Sequence, residues 1–416
     1  MTAPLCGGPI GAVPPVPPSS SDPDARIRSL LPLLAAGAFA GGSGVRLLDP
    51  LLPAVAGDFG VSVGAAAALL AAFTVTYGGG QAVTGPLGDR FGKLRVIAAA
   101  LLLYGLALLG CAAAPDLPAL VMLRAVSGAF AGAVIPLAFA WVGDRVPYAE
   151  RQAVLSRVLT GMVLAQLLTG PIAGIAGGRF GWRAAFLCLG LLALCIGAAV
   201  ALRLRRAPPE RVSTASGGLG LARYLEIARR PAARRLMAVA FAEGACLMGA
   251  AFPFVGAFVI EEFGLTAEAA GLLVAGFGLG AFAYTRAAPF LVRRIGERRL
   301  VPAGGAVLVM VLLGIALAPH WAMVAALQGV AGLGFYLFHG VLQTRATEAL
   351  PEARGTAVAA FAMMIFLGQA IGSVVAGAVI AAGGYRLAFA LCAAAMVAVT
   401  LRTVAALGGT KMGSRG

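Results

Sequence analysis

A chain of 416 residues that is 60% hydrophobic and only 12% charged, with a mean hydropathy of +0.92, has too little polar surface to coat a globule of its size. A net charge of +15 would suit nucleic acid only on the basic face of a folded domain. Here the positive residues sit between apolar stretches, which excludes that partner.

The apolar stretches have the roughly 20-residue length that crosses a hydrocarbon core about 30 Å thick. Period-two alternation is absent, so they are predicted as transmembrane helices rather than barrel strands. In chain order, residues 1–25 come first, with Pro14, Pro15, Pro17 and Pro18 beside Asp22. They read as a disordered tail without the basic and apolar regions of a leader. Twelve spans follow, at 29–52, 64–82, 96–114, 117–142, 153–176, 184–202, 236–259, 270–290, 300–318, 321–342, 356–382 and 387–407.

Most Lys and Arg fall before the first span, in the even-numbered gaps or after the last span. Only Arg179, Arg183 and Arg386 fall in the odd-numbered gaps. The positive-inside rule then predicts both termini in the cytoplasm of a multi-pass protein of the inner (plasma) membrane. The cysteines carry no CxxC spacing, and all but Cys6 lie in apolar spans, so they read as small core hydrophobes with no metal site.

The longest polar gap divides the chain into two sets of six spans, and short motifs recur across it. Gly181-Trp182-Arg183 with Phe186 returns 203 residues later as Gly384-Tyr385-Arg386 with Phe389. Asp89-Arg90-Phe91-Gly92 has a counterpart in Arg293-Arg294-Ile295-Gly296, and Leu123-Arg124 with Gly128 in Leu327-Gln328 with Gly332. The expected fold is an all-α membrane protein of two pseudo-symmetric six-helix bundles. They occupy 26–205 and 234–416, joined by a central cytoplasmic loop at 206–233. Such parallel repeats place the substrate site between the halves near the midplane.

At these residues the chain resembles the major facilitator superfamily. The run from Gly85 through Asp89, Arg90, Gly92, Lys93 and Arg95 is similar to the superfamily's loop between spans two and three. Arg124 with Gly128 resembles its second motif, and Gly170, Pro171 and Gly174 resemble the end of its antiporter motif. The match is incomplete in two places: Arg293 stands where the second copy of the loop would repeat Asp89, and Leu167 and Thr169 precede Gly170-Pro171 without a further glycine. The resemblance implies alternating access, with Asp89 docking against helix ends of the other half as a gating latch. A solvated loop charge is the plainer reading of Asp89. The resemblance also places spans one, four, seven and ten around the cavity.

Charges inside spans are costly and point to function. Arg124 is expected to face Asp49, a pair that could exchange a proton when loosened; alternatively Asp49 pairs only with Arg46 as a static staple. Glu243, with no charge near it in sequence, is the second proton carrier. His339 is its candidate partner, with Gln343 one turn beyond. Arg46, Tyr77, Gln81, Gln166, Tyr284, Tyr336 and Gln369 are expected to line a cavity or bridge helices, and Phe252, Phe254, Phe335 and Phe338 to supply an apolar wall or ordinary packing.

No Gly-x4-Gly-Lys-Ser/Thr loop exists to cradle ATP, and no soluble segment is long enough for a catalytic domain. The expected protein is therefore no enzyme. It is a secondary transporter exporting a small organic molecule in exchange for protons, with the proton gradient as its energy source and no cofactor. A proton-driven importer or uniporter of a sugar-like metabolite is the alternative, and a non-transporting receptor on the same fold is the other.

Overall fold

In a computed structural model the described residues are 23–205, 221–350 and 354–408. The expected tail up to residue 22, the loop at 206–220 and the last residues lie outside them. Among the described residues every regular element is helical. The helices are α1 (Pro23–Arg46), short α2 (Leu52–Asp58) and α3 (Val63–Ala66), α4 (Ala68–Phe91), α5 (Lys93–Ala112), α6 (Leu117–Arg145), α7 (Tyr148–Phe180) and α8 (Trp182–Arg205). The second set is α9 (Leu221–Arg229), α10 (Pro231–Glu243), α11 (Val255–Phe263), α12 (Ala267–Ile295), α13 (Glu297–Ala316), α14 (Trp321–Glu348) and α15 (Arg354–Gly408).

Among the described residues ten helical segments are long and apolar enough to cross a bilayer. One of these, Gly355–Ala405, holds two crossings, because Gly384 breaks α15 at φ 78°, ψ 175°. Only a residue without Cβ adopts that conformation cheaply. With α1, the twelve expected crossings are all present.

Two expectations change. Helix α1 begins at Pro23, inside the expected tail, and ends at Arg46, so Asp49 sits in the turn after the helix and not within it. Span seven is not one α-helix. Helix α10 stops at Glu243, a π-helical turn runs Gly244–Gly249, a 3-10 turn runs Phe252–Phe254, and α11 completes the crossing.

The repeat is visible in the backbone. Among the described residues those with positive φ are all glycines and fall into pairs about 204 residues apart: Gly60 with Gly264, Gly92 with Gly296, Gly181 with Gly384. Helix caps recur at the same offset, Ser62 with Thr266 and Asp116 with His320. Trp182 Nε1 donates to Asp58 Oδ2 at 3.1 Å, and Tyr385 Oη donates to Glu261 Oε2 at 2.9 Å. Glu261 stands one residue before Glu262, the counterpart of Asp58, and Glu262 lies 3.6 Å from Arg386 as Asp58 pairs with Arg183. Asp58 lies outside the spans, and its bonds from Arg183 and then Trp182 hold its carboxyl below the ordinary carboxylate value.

Helices α7 and α12, and α4 and α15, form the two seams between the halves. Glycine lets the backbones touch there. A Cβ at Gly174 would lie 2.4 Å from the Ala267 carbonyl oxygen, one at Gly278 2.7 Å from Leu167 Cα, and one at Gly64 2.3 Å from the Gly377 carbonyl. At the end opposite the termini, Arg179 Nε also reaches Glu268 Oε1 across the seam at 3.1 Å. The seam is closed at that end. Toward the termini, Gln343 near the end of α14 is exposed.

Candidate functional site

Glu243 occupies the last residue of α10, where the helix widens into the π turn. Gly244 lets that turn press on the next helix, since a Cβ there would lie 2.2 Å from the Ile365 carbonyl oxygen. Such π turns are frequent at functional sites. The Glu243 side chain is buried, and its Oε1 lies 3.2 Å from His339 Nδ1 on α14, whose side chain keeps 13% exposure. Glu243 Oε2 has no hydrogen-bond partner. A buried carboxylate oxygen left without a donor is a polar group whose desolvation no bond offsets.

From His339 an aromatic lane runs toward the closed end. The His339 ring stacks on Phe335 at 4.8 Å, Phe335 meets Tyr336 at 5.1 Å and Phe277 at 5.8 Å, and Phe277 meets Phe252 at 4.8 Å. Tyr336 also stacks on Tyr284 at 6.0 Å. The lane ends where the Arg46 guanidinium lies 5.4 Å from the Phe277 ring centre. The residues come from the 3-10 turn of span seven, α12, α14 and the end of α1. No contiguous stretch of sequence announces it.

The expected Arg124–Asp49 ion pair is replaced by two separate arrangements. Arg46 Nε lies 3.0 Å from Asp49 Oδ2, the staple reading, while both Asp49 oxygens lack a hydrogen bond. Arg124 is fully buried and donates from Nη2 to the Gly44 carbonyl at 3.0 Å and from Nε to the Leu69 carbonyl at 3.4 Å. It also sits 4.1 Å from the Phe73 ring centre. The physical reason is the helix end: with α1 stopping at Arg46, its last carbonyls are open to a guanidinium donor, and Asp49 falls beside Arg46 one turn back. Arg124 therefore ties α1, α4 and α6 together, with Nη1 unbonded.

Between α4 and α5, Gly92 takes φ 90°, ψ 127° as the joint. Lys93 Nζ contacts Asp89 Oδ1 at 3.1 Å and also pairs with Asp144 at the end of α6. Asp89 is thus held within its own half and does not dock across the seam in this state. Arg90 lies over Phe91, and Arg95 is exposed. Gly170 and Gly174 sit on the α7–α12 seam, where Pro171 lies within α7.

Tyr77 is buried against Phe366 at 4.5 Å. Gln81 is partly exposed, the buried Gln166 Oε1 is unbonded, and Gln369 is buried on α15, its backbone carbonyl accepting from Ser373. Gln343 is exposed and makes no bond with Glu243.

The sequence reading missed the buried Thr169–Ser43 hydrogen bond of 2.8 Å between α7 and α1, although a serine inside Gly41-Gly42-Ser43-Gly44 marks a close helix approach. It also gave no role to Gln328, the buried counterpart of Arg124, whose Nε2 is unbonded.

The family model of the Major Facilitator Superfamily matches residues 34–320 and 245–411, and the chain belongs to that superfamily. YwfA of Bacillus subtilis (strain 168), described as an uncharacterized MFS-type transporter, is 28% identical over 392 residues, 91% of this chain and 93% of its own. A chloramphenicol resistance protein of Streptomyces lividans is 28% identical over 280 residues, 67% of this chain and 70% of that protein. A crystal structure of a bacterial homolog to the human lysosomal transporter Spinster, inward-facing and occupied, shares the fold. Its TM-score is 0.70 at 16% identity, over 94% of this chain and 96% of that one. The protein is a multi-pass membrane transporter of the MFS type.

Proposed function

We propose that the chain exports a small organic molecule, drug-like or metabolic, in exchange for protons across the inner membrane, with both termini cytoplasmic. Glu243 carries the proton and His339 relays it from the wet side. The observation that carries this reading is the Glu243–His339 pair, a fully buried carboxylate with one oxygen unbonded, touching a partly exposed imidazole at 3.2 Å. A carboxylate in that position couples its charge to hydration, and hydration changes when the seam opens on one side or the other.

With the termini side open, cargo enters against Phe335 and Tyr336 beside His339. Loading there favours proton loss from Glu243 to the wet side through His339. After the halves rock, cargo leaves and Glu243 takes a new proton from the opposite side. The Asp49–Arg46 pair, with both carboxylate oxygens unbonded, is the secondary coupling group, and Arg124 stiffens the helices beside it. Asp89 with Arg90, Lys93 and Arg95 gates the termini side, and Gly170, Pro171 and Gly174 form the surface on which α7 slides. Likeness to a protein named for chloramphenicol resistance is in keeping with a drug-like cargo.

The test uses everted vesicles acidified inside by respiration, with cargo drawn from compounds whose toxicity the gene relieves. Adding cargo should drive protons out of the lumen. Cargo that instead carries protons inward with it establishes cotransport, and no proton movement with any protective compound removes the coupling.

A further inference from the structure

At the termini end of the second half, α10 and the final stretch of α15 leave a groove of about 440 Å³. Its walls are short side chains, Ala238, Val239 and Ala242 from α10 facing Ala398, Val399 and Ala405 from α15, and its mouth holds Arg235 and Arg402. The two helices run in opposite directions, so Arg235 and Arg402 lie at one level while Ala242 and Ala398 lie deeper. The seven steps from Arg235 to Ala242 span about 10 Å at 1.5 Å per residue. Arginine at one end and small apolar walls below is the profile of a lipid: an anionic head at the interface and a tail descending from it.

Among the described residues neither guanidinium meets a carboxylate; Arg235 only donates from Nε to the Pro231 carbonyl at 3.3 Å. The surroundings repeat the theme. Arg229 and Arg234 are exposed nearby, and α9, which packs on α10 and α15, buries Ile227 and exposes Leu225. A short amphipathic helix amid basic residues lies along a membrane surface, where arginines attract acidic headgroups. The groove wall is also one flank of the helix that carries Glu243, so an occupant would brace the segment leading into the π turn.

We infer that this groove holds one anionic phospholipid, its phosphate between Arg235 and Arg402 and one acyl chain against Ala238, Ala242 and Ala398. The inference is independent of cargo and of transport direction. Each arginine beside an acidic headgroup contributes about five-fold, so the pair should prefer phosphatidylglycerol over phosphatidylcholine by about thirty-fold.

Native mass spectrometry of the full-length protein, titrated with each lipid in turn, reads this as a one-lipid adduct. Two variants separate head from tail: Arg235→Gln with Arg402→Gln removes the charge, and Ala238→Leu with Ala398→Leu fills the groove while keeping both arginines. Both should lose the phosphatidylglycerol adduct while retaining wild-type helicity by circular dichroism. Any one of these results overturns the inference: an adduct unchanged in the double glutamine variant; an adduct unchanged in the double leucine variant, which would mean a diffuse basic belt; or equal retention of phosphatidylcholine. Competition by glycerol phosphate alone would also overturn it, because the tail would then have no part.

Discussion

Replacing Glu243 by Gln removes the one titratable group that the proposed mechanism cannot do without, and leaves nearly everything else in place. The amide has the volume of the carboxyl, and His339 Nδ1 at 3.2 Å can accept from the new NH2, so the change in folding stability should stay below about 1.5 kcal/mol, as for other volume-conserving swaps. The transport consequence is much larger. One pH unit stores about 1.4 kcal/mol per proton, so a one-for-one exchanger working against a two-unit gradient sustains a cargo ratio of roughly 100, and the Glu243→Gln protein sustains a ratio near one. The assay is cargo accumulation in proteoliposomes with an imposed pH difference, with gradient-free exchange of labelled cargo as the control. Wild type should accumulate and exchange; the variant should only exchange. Accumulation at the wild-type level in the variant refutes the assignment of Glu243 as carrier, and with it the reading of the unbonded oxygen.

Arg124→Met should lower thermal stability by about 3 kcal/mol, since it forfeits two charge-assisted bonds to the Gly44 and Leu69 carbonyls and a ring contact on Phe73 at roughly 1.5–3 kcal/mol per charged bond before the gain from no longer burying the charge; a melting scan in detergent checks it. Gly161→Ala places a Cβ 1.9 Å from the Ala35 carbonyl oxygen and should cost about 1–3 kcal/mol by forcing α1 and α7 apart, whereas Gly85→Ala, with open space around it, should be neutral or stabilising by up to about 1 kcal/mol. Asp58 is held below its ordinary value of 3.8 by Arg183 and Trp182, so its stabilising effect is present above that pH and lost as acidity rises through the lower folded value. Trp182 fluorescence should follow this acid transition in wild type, and Asp58→Asn should abolish it.

The number of crossings and their approximate limits were legible because hydropathy and helix length are properties of consecutive residues, and lipid allows only a few ways to satisfy a backbone. The repeat was legible for a similar reason: Gly181 and Gly384 must take positive φ, and only glycine does so cheaply, so the motif survives in letters. Gly60 and Gly264 carry the same signal about 204 residues apart, in Asp58-Phe59-Gly60-Val61-Ser62 and Glu262-Phe263-Gly264-Leu265-Thr266, a match the sequence reading passed over. The Glu243–His339 pair was half legible, since each residue is polar in an apolar span. Their meeting depends on how far α10 and α14 are rotated about their axes.

The sequence alone determined a twelve-crossing, two-part helical transporter, through its apolar lengths, its arginines between them, and the loop from Gly85 to Arg95. Tertiary structure alone decided the partners. Helix α1 ends at Arg46, which gives Asp49 to Arg46 and leaves the Gly44 carbonyl to Arg124. The π turn after Glu243 and the aromatic lane from His339 to Phe252 likewise arise from helices distant in sequence. Rotation and termination of a helix are set by what packs against it, and for spans in lipid, where every face is apolar, the amino-acid pattern carries little record of which face that is.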